Sequence, residues 1–189
     1  GLAFFLGHAP TFSRLGFERR GLDRQPVEAD FSGQSWLVTG ASSGIGREIA
    51  LQAAGRGARV IAAARSDSRL ESLRATSTGT IEALVVDLSL MREVRAAACA
   101  LADRLGKLDV LVNNVGVLLN SFSTTDEGFE TSFATNLLGH YVLTELLVEH
   151  YGQRAEQFRA AALVLGQRAV RPQSEFDIAG LIGLEEQRE

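Results

Sequence analysis

Leu37-Val38-Thr39-Gly40-Ala41-Ser42-Ser43-Gly44-Ile45-Gly46 decides the fold. The short apolar run from Ser35 to Val38 reads as a buried strand, and a glycine-rich turn follows it at once. Ile45, Ile49 and Ala53 then recur at helical spacing, so a helix is expected to open at Gly46, the last glycine. A strand, a glycine turn and a helix N-terminus together form an anion site. The first N–H groups of a helix have no partner, and the helix dipole favours negative charge there. Gly40 would permit the tight turn, and Gly44 would let a pyrophosphate approach the main chain. Gly46 would let the helix pack closely. Ser42 and Ser43 add hydroxyl donors, and the whole stretch reads as a nucleotide site.

The spacing T-G-x-x-x-G-x-G resembles the cofactor-binding motif of the short-chain dehydrogenase/reductase family. The resemblance implies that Gly40, Ser42, Ser43, Gly44, Ile45 and Gly46 hold a dinucleotide. Further matches run in the family's order from about residue 30 to residue 150.

Composition sets the outer bounds. The chain has 189 residues, nearly half of them apolar and about a fifth charged, as in an ordinary single globular domain. A formal charge of −4 leaves no footprint for nucleic acid. No apolar run approaches the roughly 20 residues that span a bilayer, so no integral membrane segment is expected. Cys99 is the only cysteine and Lys107 the only lysine. A lone thiol fits a reducing, cytoplasmic setting, and Cys99, in an alanine-rich helix, reads as a small buried hydrophobe. Leu2 to Leu6 lacks the flanks of a signal peptide. Three parts are expected: an N-terminal arm over 1–30, a dinucleotide-binding domain over 31–165 and a tail over 166–189. Aromatic and basic residues share the arm, which reads either as a strap on the domain or as a membrane-surface segment.

Arg59 to Ala64 reads as the second strand, with Arg65 directly after it. An acidic residue here would accept from the ribose 2′-OH of NAD, whereas an Arg suits a 2′-phosphate. Arg65 therefore favours NADP over NAD, against the weak counter-signal of Asp67. Ser68 to Thr76 is expected to be helical, and Ile81 to Val86 to be the third strand. The resemblance puts Asp87 and Leu88 beside the adenine, while Asp87 also suits an N-cap of the next helix. That helix gathers Val94, Ala98, Leu101 and Leu105 on one face. Leu108 to Val112 reads as the fourth strand. Asn113-Asn114-Val115-Gly116 follows it and resembles the family's Asn-Asn-Ala-Gly. Gly116 would give a sharp exit beneath the cofactor, with Asn114 and Val115 beside it.

One long helix is expected from about Glu127 to His150, with Phe129, Phe133, Leu137 and Tyr141 in a stripe suited to core or helix pairing. The resemblance makes Asn136 the asparagine of the family's catalytic tetrad and implies a homodimer or homotetramer. Gly139 within the helix points to a close approach. His140 and His150 have no partner at metal-ligand spacing, and no metal is expected.

The fold class is thus α/β, a doubly wound parallel sheet of the Rossmann type in three αβα layers. The resemblance implies an NADP-dependent oxidoreductase that moves hydride between nicotinamide and a small-molecule carbonyl or alcohol. The resemblance implies a fifth strand ending in a Ser that orients the carbonyl, then a Tyr that gives the proton, with a Lys four positions on that lowers its pKa. Here Glu145 stands four positions after Tyr141, and Ala155 after Tyr151. A fifth strand over Ala161 to Leu165 would end on Gly166, where the Ser belongs. Three explanations stay open: a longer chain from which residues after about His150 are missing, a product truncated or altered downstream, or a nucleotide-binding module that has lost catalysis.

Overall fold

Five short strands and the helices between them are described over residues 29–152 and 159–161 of a computed structural model. The strands β1 (Ser35–Thr39), β2 (Arg59–Ala64), β3 (Ile81–Val85), β4 (Val110–Val112) and β5 (Arg159–Ala161) form one sheet in the order β3-β2-β1-β4-β5. Every pairing is parallel, with Ser35 opposite Arg59 and Val38 opposite Val112. The connecting helices are α1 (Gly44–Gly55), α2 (Asp67–Thr76) and α3 (Met91–Arg104). A short α4 (Thr131–Phe133), a π-helical turn (Ala134–Leu138) and α5 (Gly139–Gly152) follow β4.

Strand alternation divides the interior into two cores, one per face. Leu37, Ile61 and Leu111 point to the face covered by α3 and α5, with Val94, Ala98, Leu101, Val142 and Leu147. Val38, Val60, Ala62 and Val112 point to the face covered by α1 and α2, with Ala50, Ala53, Leu70 and Leu73. Helix, sheet and helix make the three expected layers. Tyr151 closes the first core: it is 2% exposed, and its hydroxyl donates to the carbonyls of Leu101 (2.8 Å) and Leu105 (3.3 Å).

Several expectations need correction. The helix expected from Glu127 begins at Thr131. Gly128, at φ +85°, breaks the chain there, and Glu130 caps the new start through the N–H groups of Ser132 and Phe133. Glu127 reaches away to accept from Met91 and Arg92 at the start of α3 (2.6 and 3.0 Å). The π turn adds a residue to the helical repeat. Phe133 and Leu137 are left 48% and 57% exposed, while Phe129 and Tyr141 pack on the core. Cys99 is exposed, on the outer side of α3. The fifth strand covers Arg159–Ala161, so only Ala161 of the expected stretch falls within it; 162–165 lie outside the described residues, as do most of the arm and the tail.

Gly139 behaves as expected. A Cβ there would run into the Leu88 carbonyl, so α5 crosses the β3 exit at contact distance. No described helix is long and apolar enough to cross a membrane.

Candidate nucleotide-binding site

The strand order reverses beside β1, and the carboxyl ends of β1 to β4 open onto a cleft of about 350 Å³. Its floor is the turn after β1. The helix begins at Gly44, two residues before the expected position, with Ser43 extended at the cap. The Ser43 hydroxyl makes no capping bond, and the first turn of α1 carries no acid. Arg47 is the first N–H of this segment with a main-chain acceptor, Ser43 O at 3.2 Å. Among the described residues the N–H groups of Gly44, Ile45 and Gly46 have no acceptor, and they stand at the positive end of a twelve-residue helix.

The three glycines do different work. Gly40 has φ +67°, and a Cβ would crowd the Asn114 amide and Val115. Gly44 has φ +56°, yet nothing lies within 4 Å of where its Cβ would stand, so the room in front of it is open. Gly46 is buried, and its Cβ would sit 2.5 Å from the Gly40 carbonyl oxygen. Such a cradle, open above and closed below, fits a diphosphate.

Gly40, Ser42, Ser43 and Ile45 line the cleft from this turn, and Arg65 lines it from the end of β2. Asp87 and Leu88 enter from the β3 exit, and Asn114, Val115 and Gly116 from the β4 exit. Gly44 and Gly46 build the turn without lining the cleft. Arg65 is highly exposed, with its guanidinium 3.9 Å from an Asp87 oxygen. The other Asp87 oxygen accepts from the Ser89 N–H at 2.8 Å. Asp87 is not the cap of α3: Leu90 holds that position, and the distant Glu127 takes the first N–H groups.

The β4 exit is fastened to β1 through Thr39, a fully buried residue. Its hydroxyl donates to Val112 O (3.1 Å) and accepts from the N–H groups of Asn114 (2.9 Å) and Val115 (3.3 Å). The Asn114 amide returns the contact, donating to Thr39 O at 3.1 Å. Asn113 points the other way, donating to the Thr144 hydroxyl at 2.9 Å. Gly116 was expected to allow a sharp exit, but its φ is not positive and the nearest atom to a Cβ there is 4.0 Å away. Glycine here serves the open wall of the cleft rather than the turn.

Asn136 lies on the π turn, a helical irregularity frequent at functional sites. Its exposed side chain grips Val117, accepting from the N–H at 2.7 Å and donating to the C=O at 2.8 Å. It therefore holds the wall after Gly116 without itself lining the cleft. Below it is His140, buried between Thr39 Oγ1 (Nε2, 3.3 Å) and Asn136 O (Nδ1, 3.3 Å). Burial holds the imidazole below its ordinary pKa, partly offset by the Asn136 carbonyl. Sequence reasoning gave His140 no role, and it missed Arg69, Val117 and Thr135 on the cleft wall. Only Arg69 had a usable signal, four positions after Arg65.

Residues 34–157 match the family model described as short chain dehydrogenase. The chain belongs to this family. Among family members, Retinol dehydrogenase 13 of Homo sapiens is 35% identical over 129 residues, covering 66% of this chain and 39% of that protein. Retinol dehydrogenase 12 of Mus musculus is 40% identical over 128 residues, covering 65% and 40%. The chain thus spans about two fifths of the length of these relatives. A metagenomic short-chain oxidoreductase in complex with NADP superposes with a TM-score of 0.61 at 29% identity, over 75% of this chain and 67% of that one. A mutant short-chain dehydrogenase/reductase of Serratia marcescens gives 0.57 at 26%, over 65% and 53%.

Proposed function

We propose that the protein is an NADP-dependent oxidoreductase that interconverts a small-molecule carbonyl and alcohol. The observation that carries this reading is the continuity of the cleft, which joins the uncapped start of α1 to a guanidinium at the end of β2. The first suits a diphosphate and the second a 2′-phosphate. Gly44, Ile45 and Gly46 would bind the diphosphate through their N–H groups, with Ser42 and Ser43 as further donors. Asp87 and Leu88 would flank the adenine, and Asn114, Val115 and Gly116 the nicotinamide ribose. When bound, the nicotinamide supplies the hydride chemistry. Asn136 fixes the wall beside it through Val117 and is the family's candidate tetrad member on this chain. The metagenomic relative bound to NADP supports the choice of cofactor.

In this reading Phe133 and Leu137, exposed just before and within the π turn, pair with a second copy in a homodimer or homotetramer. The single thiol agrees with a cytoplasmic setting, which fractionation of cells would test.

Titration with NADPH and NADH, followed by cofactor fluorescence, tests the binding half. NADPH is expected to bind at least tenfold more tightly; no signal with either at millimolar concentration would end the reading. Turnover of a panel of aldehydes and ketones tests the catalytic half.

A second reading, a nucleotide-binding module without turnover, is favoured by the two tyrosines. Tyr151 has its hydroxyl buried on two carbonyls, and Tyr141 has a glutamate where the family has lysine. It predicts NADPH binding with no turnover across the panel. The oxidoreductase reading instead predicts turnover by the natural gene product, with an intact mass above the 20.3 kDa of these residues.

A further inference from the structure

Within the cofactor reading above, on which this rests, we propose that His140 is a positioning residue for the nicotinamide half of the cofactor: it closes a ring of hydrogen bonds around the exit of β4. The Thr39 hydroxyl accepts from the N–H groups of Asn114 (2.9 Å) and Val115 (3.3 Å). Two residues on, Val117 is gripped from both sides by the Asn136 side chain, at 2.7 and 2.8 Å. His140 takes the carbonyl of that same Asn136 through Nδ1 and meets the Thr39 hydroxyl through Nε2, both at 3.3 Å. The circuit thus runs from Thr39 to the β4 exit, along the chain to Val117, and back through Asn136 and His140.

Val115, Gly116 and Val117 line the cleft, and Gly116 between them has no side chain to hold it. The place of this wall therefore depends on its two gripped ends, and His140 ties those grips to each other. The imidazole is itself fixed. It is buried, and the His140 carbonyl accepts from the Thr144 hydroxyl at 2.6 Å, which in turn accepts from the Asn113 amide at 2.9 Å. Gly139, just before it, packs on the Leu88 carbonyl. A buried imidazole with both nitrogens committed is stable only while each partner stays in place, so it resists movement of either grip. Arg65 and Asp87, on the adenine side of the cleft, take no part in the ring.

Calorimetric titrations of the full chain with NADPH and with adenosine 2′,5′-bisphosphate, which carries only the adenine half, test the two sides separately. His140→Leu is expected to weaken NADPH binding tenfold or more and to leave the bisphosphate within twofold. His140→Gln, which can donate and accept, should recover most of the loss. His140→Asn is polar but too short to reach Thr39, and carries the expectation of the leucine variant should that one fail to fold. Asn136→Ala, at an exposed position, should give the same split. Adding it to His140→Leu should weaken NADPH no further, because a ring opened once cannot be opened again. Equal losses for both nucleotides, no loss for either, or a double variant whose loss is the product of the single ones would overturn the role of His140 while the cofactor reading stands. An unaltered chain that binds neither nucleotide overturns both.

Discussion

The exits of β1 and β4 lie side by side, and both are glycine-bearing turns, yet they treat their main-chain polar groups in opposite ways. After β1, the N–H groups of Gly44, Ile45 and Gly46 have no hydrogen-bond acceptor among the described residues, with no side-chain cap and no acid in the turn. After β4, the N–H groups of Asn114, Val115 and Val117 are all taken, two by the Thr39 hydroxyl and one by Asn136. An unpaired donor near the surface is tolerable only where water or a ligand can meet it. The first turn therefore has the character of a receptor and the second that of a brace. The two meet at Thr39, which ends one strand and secures the other. A ligand bound at the first turn would rest on geometry enforced by the second.

Gly46 gives the largest expected effect, because it touches both turns. Gly46→Ala would set a methyl against the Gly40 carbonyl and the Asn114 amide, main chain on one side and the brace on the other. Overpacking of this kind costs about 3 kcal/mol, which lowers the melting temperature by roughly 6–12 °C for a chain of this size. Gly44→Ala sharpens the contrast. It meets no atom, so its cost is the left-handed φ alone, about 1 kcal/mol. Yet it places a methyl in the cradle, and NADPH affinity should fall at least tenfold. Thermal melts and titrations of the two variants should rank them in opposite orders. The same order in both measurements would break the division between receptor and brace.

This division also explains how much could be read from the chain. The receptor is local: a strand, three glycines and a helix start within twelve residues, and the apolar run of β2 was legible to the residue. The brace is assembled from residues about 75 and 100 positions apart, Thr39 with Asn114 and His140, and no spacing announces it. The start of the helix at Thr131 was hidden for a related reason. Glu127 looks like a helix residue until its carboxylate is found on α3, and Gly128 takes a positive φ that composition alone does not demand. Cys99 was misplaced because the alanines around it are small and apolar on every side, which leaves no contrast between faces. Arg69 resembled any surface arginine; only the cleft distinguishes it.

Thr39→Val is the next largest effect and isolates the brace. The substitution keeps the shape and removes the hydroxyl, leaving the N–H groups of Asn114 and Val115 facing a methyl inside the fold. Unpaired buried donors cost about 2 kcal/mol here. Thr39→Ser should recover most of that in a chemical denaturation series. Equal stability of Thr39→Val and the unaltered chain would mean that the hydroxyl is dispensable.

The smallest effect is a pH dependence that the brace has and the receptor lacks. Asn136 O can only accept, so His140 Nδ1 carries a proton, and in the neutral ring Nε2 then accepts from the Thr39 hydroxyl. That contact competes with Val112 O for a single hydroxyl hydrogen. Burial holds the folded pKa of His140 below the ordinary value of 6.5. The sign follows directly. Above about pH 6.5 neither state is protonated and this site leaves stability untouched. As pH falls below that value the unfolded chain binds a proton that the folded chain refuses. Stability then declines by up to about 1.4 kcal/mol per pH unit until the folded pKa is reached. Melting temperatures between pH 8 and 5 should therefore fall more steeply for the unaltered chain than for His140→Gln, whose amide can still donate and accept but does not titrate. Parallel curves for the two would show that the imidazole is already solvated in the fold, and the brace would then end at Thr39.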